Sequence, residues 1–312
     1  MITHRDVEAA ENRIAGHIRT TPVTLADPGT FGAGTVHLKL EYLQYTGSFK
    51  ARGAFNRVLA AAETGMLSPE GVIAASGGNA GLAVAYAART LGQQAVVYVP
   101  TTAPKVKVDK LHKLGATVVQ VGNEYADAYE AATKKAADTG ALFCHAYDQP
   151  EICAGAGTLG LELFDQLDGA LDTVFVAVGG GGLLAGVAAA LENRVQVVAV
   201  EPETIPTLHS ALAAGEPVDV DVSGIAADSL GARRVGDIAF EVVRRAGVQS
   251  LLVTDQAIID ARRTLWDHHR VVVEHGTAAA LAALTTGAYV PGAGERIAVL
   301  LCGANTSLTD LG

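Results

Sequence analysis

Three short segments carry residue types that could do chemistry together. Lys50 lies in the run Gly47–Gly53, directly after the aromatic Phe49. Two glycine-rich turns follow, Ser76–Gly81 and Gly179–Gly182, and each stands between a strand-like apolar run and a helix-like run. A lysine amine becomes nucleophilic when it is desolvated, and glycine turns at helix starts bind anions. The combination predicts a small-molecule enzyme with a phosphorylated ligand.

The four consecutive glycines of Gly179–Gly182 predict a phosphate site. The apolar run Thr173–Val178 leads directly into them, and a helix is expected from about Leu183. Glycines let backbone N–H groups approach an anion closely, and the helix dipole attracts it. An ordinary turn does not need four such residues, because ordering them costs entropy.

The same segment also fits a dinucleotide-binding fingerprint. Gly180, Gly182 and Ala185 match the pattern G-x-G-x-x-A, and Glu201 ends the next strand-like run, where an acidic ribose ligand would lie. An NAD-dependent oxidoreductase is therefore an alternative on the local pattern. Against it, the fingerprint lies in the middle of the chain and leaves Lys50 unexplained.

The Ser76–Gly81 turn has two interpretations. Asn79 is a good helix N-cap, so the turn could simply begin a helix. Alternatively, Ser76 and the backbone N–H groups of Gly78 to Ala80 form a second anion cradle, suited to a carboxylate. The turn alone leaves both interpretations open.

Strand-like and helix-like runs alternate along the chain. The strand-like runs are rich in Val and Ile and nearly continuous, as expected of parallel strands buried on both faces. They are Gly71–Ala75, Ala95–Val99, Thr117–Val121, Thr173–Val178, Val195–Val200 and Ile297–Leu301. Helices are expected over Asn79–Leu91, Pro104–Leu114 and Leu183–Leu191. The alternation predicts an α/β fold with a mostly parallel sheet and helices on both faces.

Composition narrows the classes of partner. The net charge of −10 disfavours nucleic acid and anionic membrane surfaces. The first 16 residues lack the apolar segment of a signal peptide, and the longest apolar stretches are shorter than a membrane span. The three cysteines form no Cys-x-x-Cys pair. We therefore expect a cytoplasmic protein with no nucleic-acid or membrane partner.

Five separated motifs resemble the pyridoxal-phosphate-dependent serine/threonine dehydratase family. In chain order they are Glu41–Gly53, Ser76–Gly81, Val178–Leu183, Glu201-Pro202 and Leu301–Gly303. The resemblance extends over nearly the whole chain. It implies the type II fold, similar to tryptophan synthase β, with two open, twisted, mostly parallel sheets flanked by helices. It also implies a large domain of residues 1–43 plus 148–312, a small domain of residues 44–147, and a homodimer.

The resemblance implies a role for each matched residue. Lys50 is the catalytic Schiff-base lysine, Asn79 bonds the 3-hydroxyl of the cofactor ring, and Cys302 lies near the ring nitrogen. The implied cofactor-binding residues are Phe49, Lys50, Asn79, Gly179, Gly180, Gly181, Gly182, Leu183, Ala227 and Cys302. The implied substrate-carboxylate loop is Ser76, Gly77, Gly78, Asn79 and Ala80.

Two of these positions bear on the reaction. A thiol at Cys302 cannot hold the ring nitrogen protonated as an aspartate would, so the ring is a weaker electron sink, which suits elimination of a hydroxyl. Gly77 stands where the racemases of the family have an acid/base serine, so racemisation should be weak. Glu274 precedes a small-residue helix and is a further candidate for the cofactor pocket.

A cation site is also implied by the resemblance, at Glu201, the Ile205 carbonyl and Thr207. Racemase-like members have aspartate at the last position, which suits Mg²⁺, whereas a neutral threonine favours a monovalent cation such as K⁺. The other interpretation of Glu201 is a surface or capping carboxylate, and both stay open at this point.

The implied function is β-elimination on L-threonine or L-serine, giving a 2-oxo acid and ammonia. Lys50 first holds the cofactor and then, displaced by the substrate amine, takes the Cα proton. The alternatives are the NAD-dependent oxidoreductase, a pyridoxal-phosphate lyase for a bulkier hydroxy amino acid, and a silent ligand-binding relative. Tyr45, Tyr147 and Ala226–Leu230 are candidates for the pocket wall that would set substrate size.

Overall fold

The computed structural model describes residues 2–32 and 34–307, which form ten strands and twelve α-helices. The strands are β1 (Val23–Leu25), β2 (Thr35–Lys39), β3 (Val72–Ala75), β4 (Ala95–Val99), β5 (Thr117–Gln120), β6 (Leu142–Cys144), β7 (Thr173–Ala177), β8 (Gln196–Pro202), β9 (Gln249–Val253) and β10 (Arg296–Leu300). The helices are α1 (His4–Ile14), α2 (Lys50–Glu63), α3 (Asn79–Thr90), α4 (Lys105–Lys113), α5 (Tyr125–Thr139), α6 (Pro150–Gln166), α7 (Gly182–Leu191), α8 (Thr207–Ala214), α9 (Ala227–Leu230), α10 (Asp237–Ala246), α11 (Asp255–His269) and α12 (His275–Thr285).

Two sheets organise the fold. The larger has the strand order β1-β2-β10-β7-β8-β9, and the smaller has the order β5-β4-β3-β6. Neighbouring strands are parallel except for β1 and β2, which are antiparallel. Non-consecutive neighbours are joined by helical crossovers, as parallel pairing requires. The predicted fold class, two mostly parallel sheets flanked by helices, is confirmed.

The two sheets draw on different parts of the chain. All four strands of the smaller sheet lie between Val72 and Cys144, and the larger sheet takes its strands from before and after this segment. This distribution supports the predicted division into residues 44–147 and the remainder, whose limits stay a prediction. Within residues 2–32 and 34–307, no helix has the length and apolar character that a membrane crossing would require.

Helix α6 brings two functional elements together by close backbone packing. A Cβ added to Gly53 of α2 would lie 2.7 Å from the Ile152 carbonyl oxygen, and one on Gly157 would lie 2.5 Å from the Gly186 carbonyl oxygen of α7. Such distances exclude any side chain at Gly53 and Gly157. Because α2 begins with Lys50 and α7 follows the tetraglycine loop, the small residues of α6 set the spacing between these two parts of the site.

A buried network of charged side chains joins β2, α2 and α6. The Arg52 guanidinium donates to both Glu41 carboxylate oxygens, at 2.6 and 2.9 Å, and to Glu162 Oε2 at 2.8 Å. Lys39 Nζ donates to Glu162 Oε1 at 2.5 Å. Lys39, Glu41 and Arg52 are each at most 1% exposed, so alternating charges compensate one another inside the protein. The network therefore anchors α2 at Arg52, which follows Lys50 by two residues.

Candidate active site

Three predicted segments of the site and the Ala146 carbonyl lie at the carboxyl ends of strands that are neighbours in each sheet. In the larger sheet β7 leads to Gly179–Gly182 and its neighbour β10 leads to Cys302. In the smaller sheet β3 leads to Ser76 and its neighbour β6 leads to Ala146. Ligands of open α/β sheets bind in the crevice outside the carboxyl ends of the strands. The topology therefore brings together segments that are distant along the chain.

Lys50 begins α2 with its amine turned into the protein. Its Nζ donates a hydrogen bond to the Ala146 carbonyl oxygen at 2.6 Å and lies 4.9 Å from the centroid of the Phe49 ring. Burial lowers the pKa of Lys50 to about 8. The nearby groups Cys153, Cys302 and Glu274 act in the opposite direction, since negative charge on them would raise this pKa. The amine is thus poised to be neutral, and nucleophilic, much closer to physiological pH than an exposed lysine.

The backbone before Lys50 pairs with the segment after β10. Ser48 forms an isolated antiparallel bridge with Gly303, and the Phe49 N–H donates to the Cys302 carbonyl oxygen at 3.0 Å. The start of α2 is therefore held against the carboxyl end of the larger sheet, which fixes Lys50 relative to Cys302.

The Gly179–Gly182 loop wraps so tightly that side chains are excluded from it. A Cβ on Gly180 would lie 2.3 Å from Cγ of the Tyr147 ring, and one on Gly182 would lie 2.6 Å from the Tyr147 carbonyl oxygen. Gly181 has φ of +84°, a conformation that favours glycine. The loop leads directly into α7, so free N–H groups and the positive end of the helix dipole are present there.

One apolar cavity contains both Lys50 and the start of α7. Its walls include Phe49, Lys50, Ile152, Gly182 and Leu183. The arrangement supports the predicted grouping of these residues around one ligand, with the amine and the phosphate-type cradle in the same cavity.

Asn79 does not cap its helix, so the capping interpretation is wrong. Gly78 occupies the N-cap position of α3, and Asn79 is the first helical residue. Its Nδ2 donates to Glu274 Oε1 at 2.8 Å and Oε2 at 3.0 Å. Its Oδ1 accepts from Asn305 Nδ2 at 2.7 Å. The amide thus faces the carboxyl end of the larger sheet.

The predicted substrate-carboxylate loop borders a second, polar cavity. Gly77, Gly78 and Asn79 line it, and Ser76 and Ala80 flank them in the chain. The Ser76 hydroxyl accepts from the Gly78 N–H at 3.2 Å. The opposite walls include Lys107, Lys110, Asp228, Glu274 and Asn305. The backbone N–H groups of the loop make this side of the cavity suitable for a carboxylate, and the two lysines place positive charge on the opposite wall.

Cys302 is buried beside Thr277 of α12. The Thr277 hydroxyl donates to the Gly303 carbonyl oxygen at 3.0 Å and lies 3.3 Å from Cys302 Sγ. Burial raises the pKa of the Cys302 thiol to about 12, so the sulfur stays neutral. A neutral thiol agrees with the prediction that Cys302 does not hold the nitrogen of the cofactor ring protonated.

Ala227 is the first residue of the short helix α9, which lies between the glycine loop and α12. A Cβ on Gly179 would lie 3.1 Å from Cα of Leu230, and the Ser229 hydroxyl accepts from the Gly276 N–H at 3.0 Å. Helix α9 therefore contacts two parts of the site, which agrees with a wall position for Ala227 but does not test its role.

The predicted cation ligands are engaged with the protein itself. Glu201 is buried and accepts from the Leu208 N–H at 2.7 Å and the His209 N–H at 2.8 Å, so it caps the start of α8. The Thr207 hydroxyl contacts the Gly179 carbonyl oxygen at 2.7 Å, and the Ile205 carbonyl oxygen accepts from the Thr207 N–H. Among residues 2–32 and 34–307 there is no group of three or more His, Cys, Asp and Glu side chains suited to a metal. The cation site stays a prediction.

Comparisons with known proteins agree with this geometry. The model of the family described as pyridoxal-phosphate dependent enzyme matches residues 14–303, and the chain belongs to that family. It is 35% identical over 309 residues to an L-threonine ammonia-lyase of Thermotoga maritima, covering 98% of this chain and 76% of that protein. It is 38% identical over 302 residues to a phenylserine dehydratase of Ralstonia pickettii, covering 94% and 90%. A solved threonine deaminase from T.th. superposes with a TM-score of 0.90 at 34% identity, covering 99% of this chain and all of that one.

The predicted family, fold type and cofactor are thereby confirmed. The protein is a pyridoxal-phosphate-dependent ammonia-lyase of the serine/threonine dehydratase family. The NAD-dependent alternative is wrong. Glu201, its predicted ribose ligand, is buried and caps α8.

The residues present fit pyridoxal phosphate. The fit rests on a closely packed loop of glycines with no room for side chains, which leads into the start of α7, and on the Lys50 amine, which lines the same cavity as Gly182. We propose that Gly179–Gly182 holds the phosphate and that Lys50 holds the aldehyde carbon. The cofactor, when bound, supplies the electron withdrawal that makes the substrate Cα proton acidic.

Three groups that contact the predicted site residues were not predicted from the sequence. The Ala146 carbonyl acts through the backbone and has no side-chain signal. Thr277 and Asn305 contact the predicted residues Cys302 and Asn79. Asn305 could have been found, because it is a polar residue that follows a buried strand at the carboxyl edge of a sheet.

Proposed function

We propose that this enzyme removes water from L-threonine and/or L-serine and releases the 2-oxo acid and ammonia. The observation that carries the proposal is the position of the Lys50 amine, which has a lowered pKa and shares one cavity with the glycine loop at the start of α7. The similarity to named threonine ammonia-lyases and a threonine deaminase supports the choice of substrate.

Each group of residues has a definite task in this proposal. Lys50 Nζ binds the cofactor and, once released, accepts the Cα proton, which its pKa of about 8 permits near neutral pH. The backbone N–H groups of the Ser76–Ala80 loop hold the substrate carboxylate. Cys302 keeps a neutral thiol beside the ring, and Phe49 and Leu183 exclude water from the cavity.

The substrate is tested by measuring ammonia and 2-oxo acid release from a panel of hydroxy amino acids. The panel contains L-threonine, L-serine, phenylserine and β-hydroxyaspartate, each assayed for kcat/KM with added pyridoxal phosphate. The proposal requires threonine or serine to have the highest kcat/KM. A phenylserine value more than about tenfold higher would assign a larger pocket and contradict it.

A second substrate class is favoured by two lysines. Lys107 and Lys110 line the polar cavity that Gly77 and Asn79 also line. Lys107 pairs with Asp228, whereas Lys110 forms no ion pair within the described part of the chain. A hydroxy amino acid with a second carboxylate would fit this charge. If Lys110 binds this second carboxylate, Lys110→Gln raises KM for β-hydroxyaspartate. KM for threonine stays unchanged, because threonine has no second carboxylate.

We also propose that the protein is a homodimer, as the family resemblance implies, with the small domain formed by residues 44–147. Light scattering coupled to size exclusion checks the first point, since a dimer has twice the 32.0 kDa mass of the chain. Limited proteolysis checks the second, because domain boundaries fall in accessible linkers.

A further inference from the structure

We propose that Glu274 and Asn305 are positioning residues that fix the direction in which the Asn79 amide meets the cofactor. The inference rests on the proposed role of Asn79 and does not depend on which amino acid is the substrate. It is carried by a chain of side-chain hydrogen bonds that has an acceptor at each end.

The chain of hydrogen bonds has a defined polarity. At one end Asn305 Nδ2 donates to the Thr46 carbonyl oxygen at 2.7 Å, and the same nitrogen donates to Asn79 Oδ1 at 2.7 Å. At the other end Asn79 Nδ2 donates to Glu274. A carbonyl and an ionised carboxylate can only accept, so neither amide can be turned over without placing two acceptors in contact. Thr46 and Glu274 therefore determine the orientation of both amides.

The consequence is a directional donor at the cofactor site. Both contacts of Asn79 Nδ2 with Glu274 go to one carboxylate, so a single N–H shared between its two oxygens can serve them. The second N–H of Asn79 is left for a ligand oxygen, such as the ring hydroxyl oxygen of pyridoxal phosphate. An amide free to turn over would offer its carbonyl oxygen instead, which would repel the ring oxygen in its ionised form.

The buried carboxylate of Glu274 lowers the stability of the protein, so its presence at this position argues for a functional role. It is 8% exposed, and its donors are neutral, namely Asn79 Nδ2 and the Asn305 N–H at 3.0 Å. Within residues 2–32 and 34–307 no cation lies within ion-pair distance of its carboxylate. Burial is the main cause of its raised pKa. A buried carboxylate whose nearest positive charges lie beyond ion-pair distance lowers stability, so glutamine would serve better if only packing mattered.

A purely structural role for Glu274 makes a different prediction. Its carboxylate also accepts from the Asn305 N–H, and a Cβ on Gly303 would lie 2.8 Å from Glu274 Oε2, so Glu274 helps to hold the turn after β10. Glu274→Gln can keep Oε1, which accepts from both the Asn305 N–H and Asn79 Nδ2. It removes the negative charge and replaces Oε2 by an NH₂ group, so a second donor faces Asn79 Nδ2 where an acceptor stood.

The test uses the full-length protein loaded with pyridoxal phosphate and reads cofactor affinity and the visible absorption band. Glu274→Gln should weaken cofactor affinity by about tenfold and shift the band, while the thermal midpoint of the cofactor-free protein does not fall. Glu274→Asp should restore part of both readouts. Glu216→Gln makes the same chemical change at an exposed residue and should leave both unchanged.

Asn305→Asp provides an independent second variant. It places an acceptor against Asn79 Oδ1 and the Thr46 carbonyl, so it should weaken cofactor binding more than Glu274→Gln does. The inference is overturned if Glu274→Gln binds cofactor as the parent does, or loses affinity only together with stability of the cofactor-free protein. If Asn79→Ala also leaves band and affinity unchanged, the proposed role of Asn79 fails as well; if Asn79→Ala changes them, the inference alone fails.

Discussion

The Nζ atom of Lys50 lies 2.6 Å from the carbonyl oxygen of Ala146. Within the described residues, no carboxylate lies close enough to Lys50 to form an ion pair. A carbonyl accepts a hydrogen bond from either form of the amine but stabilises the ammonium far less than a carboxylate would. Burial then dominates, which explains why the pKa of Lys50 is lowered to about 8.

The lowered pKa predicts the pH dependence of cofactor uptake. Only the neutral amine attacks an aldehyde, and in the cofactor-free protein Lys50 is mostly protonated below pH 8 and mostly neutral above it. The rate of pyridoxal phosphate uptake should rise about tenfold per pH unit below 8 and level off above it. Stopped-flow absorbance measures this rate, with Lys50→Ala subtracting uptake by surface lysines. An inflection near 10.5 would mean that the amine is solvated.

Removal of the amine tests the catalytic role directly. Lys50→Ala should lower ammonia release by about 10³-fold or more and abolish the visible band of the bound cofactor, because both the covalent link and the base are lost. Lys135→Ala alters an exposed lysine on α5 and should retain activity and colour. Ammonia release by Lys50→Ala at the rate of the parent protein would contradict the mechanism.

The strands that the sequence predicts well are those dominated by Val and Ala. Ala95–Val99 coincides with β4, and Val195–Val200 differs from β8 by one residue at the start and two at the end. Four strands, β1, β2, β6 and β9, were not predicted, and two physical causes account for the first three. Strands β1 and β6 are only three residues long, too short for any periodicity. Strand β2 contains Lys39, whose charge is buried by partners from distant segments.

The site was predictable where the backbone conformation itself requires a residue type. The tetraglycine stands out because an ordinary turn does not need four glycines, and Lys50 gains meaning only together with the two glycine-rich turns. The Asn79 partner Asn305 lies 226 positions away in the chain, so only the sheet topology brings the two together. The capping prediction for Asn79 was wrong because α3 starts one residue too early for it, and tertiary contacts with Glu274 decided the side-chain position.

The buried ion network should be essential for stability. Arg52→Gln leaves Glu41 and part of Glu162 without a countercharge in the interior, which should lower the free energy of unfolding by about 3–5 kcal/mol. Urea unfolding followed by circular dichroism measures the loss. Lys134→Gln breaks the exposed pair with Asp138 and should have little effect, since exposed pairs contribute little. Equal losses for the two variants would mean that the buried network adds no more stability than a surface pair.

The absence of a side chain at Gly77 predicts that the reaction stops at elimination. The resemblance implies an acid/base serine here in racemases, and glycine has no proton to deliver to the face of Cα opposite Lys50. The position can accept a side chain, because a Cβ on Gly77 would make only an ordinary 3.4 Å contact with Val99 Cγ1. Gly77→Ser should therefore raise the ratio of D-serine formation to ammonia release by at least about tenfold, measured by chiral chromatography with L-serine as substrate. Gly77→Ala adds the Cβ without the hydroxyl and should form no more D-serine than the parent protein. If Gly77→Ser keeps elimination but forms no D-serine, the hydroxyl does not reach Cα and the implied position of this loop is incorrect.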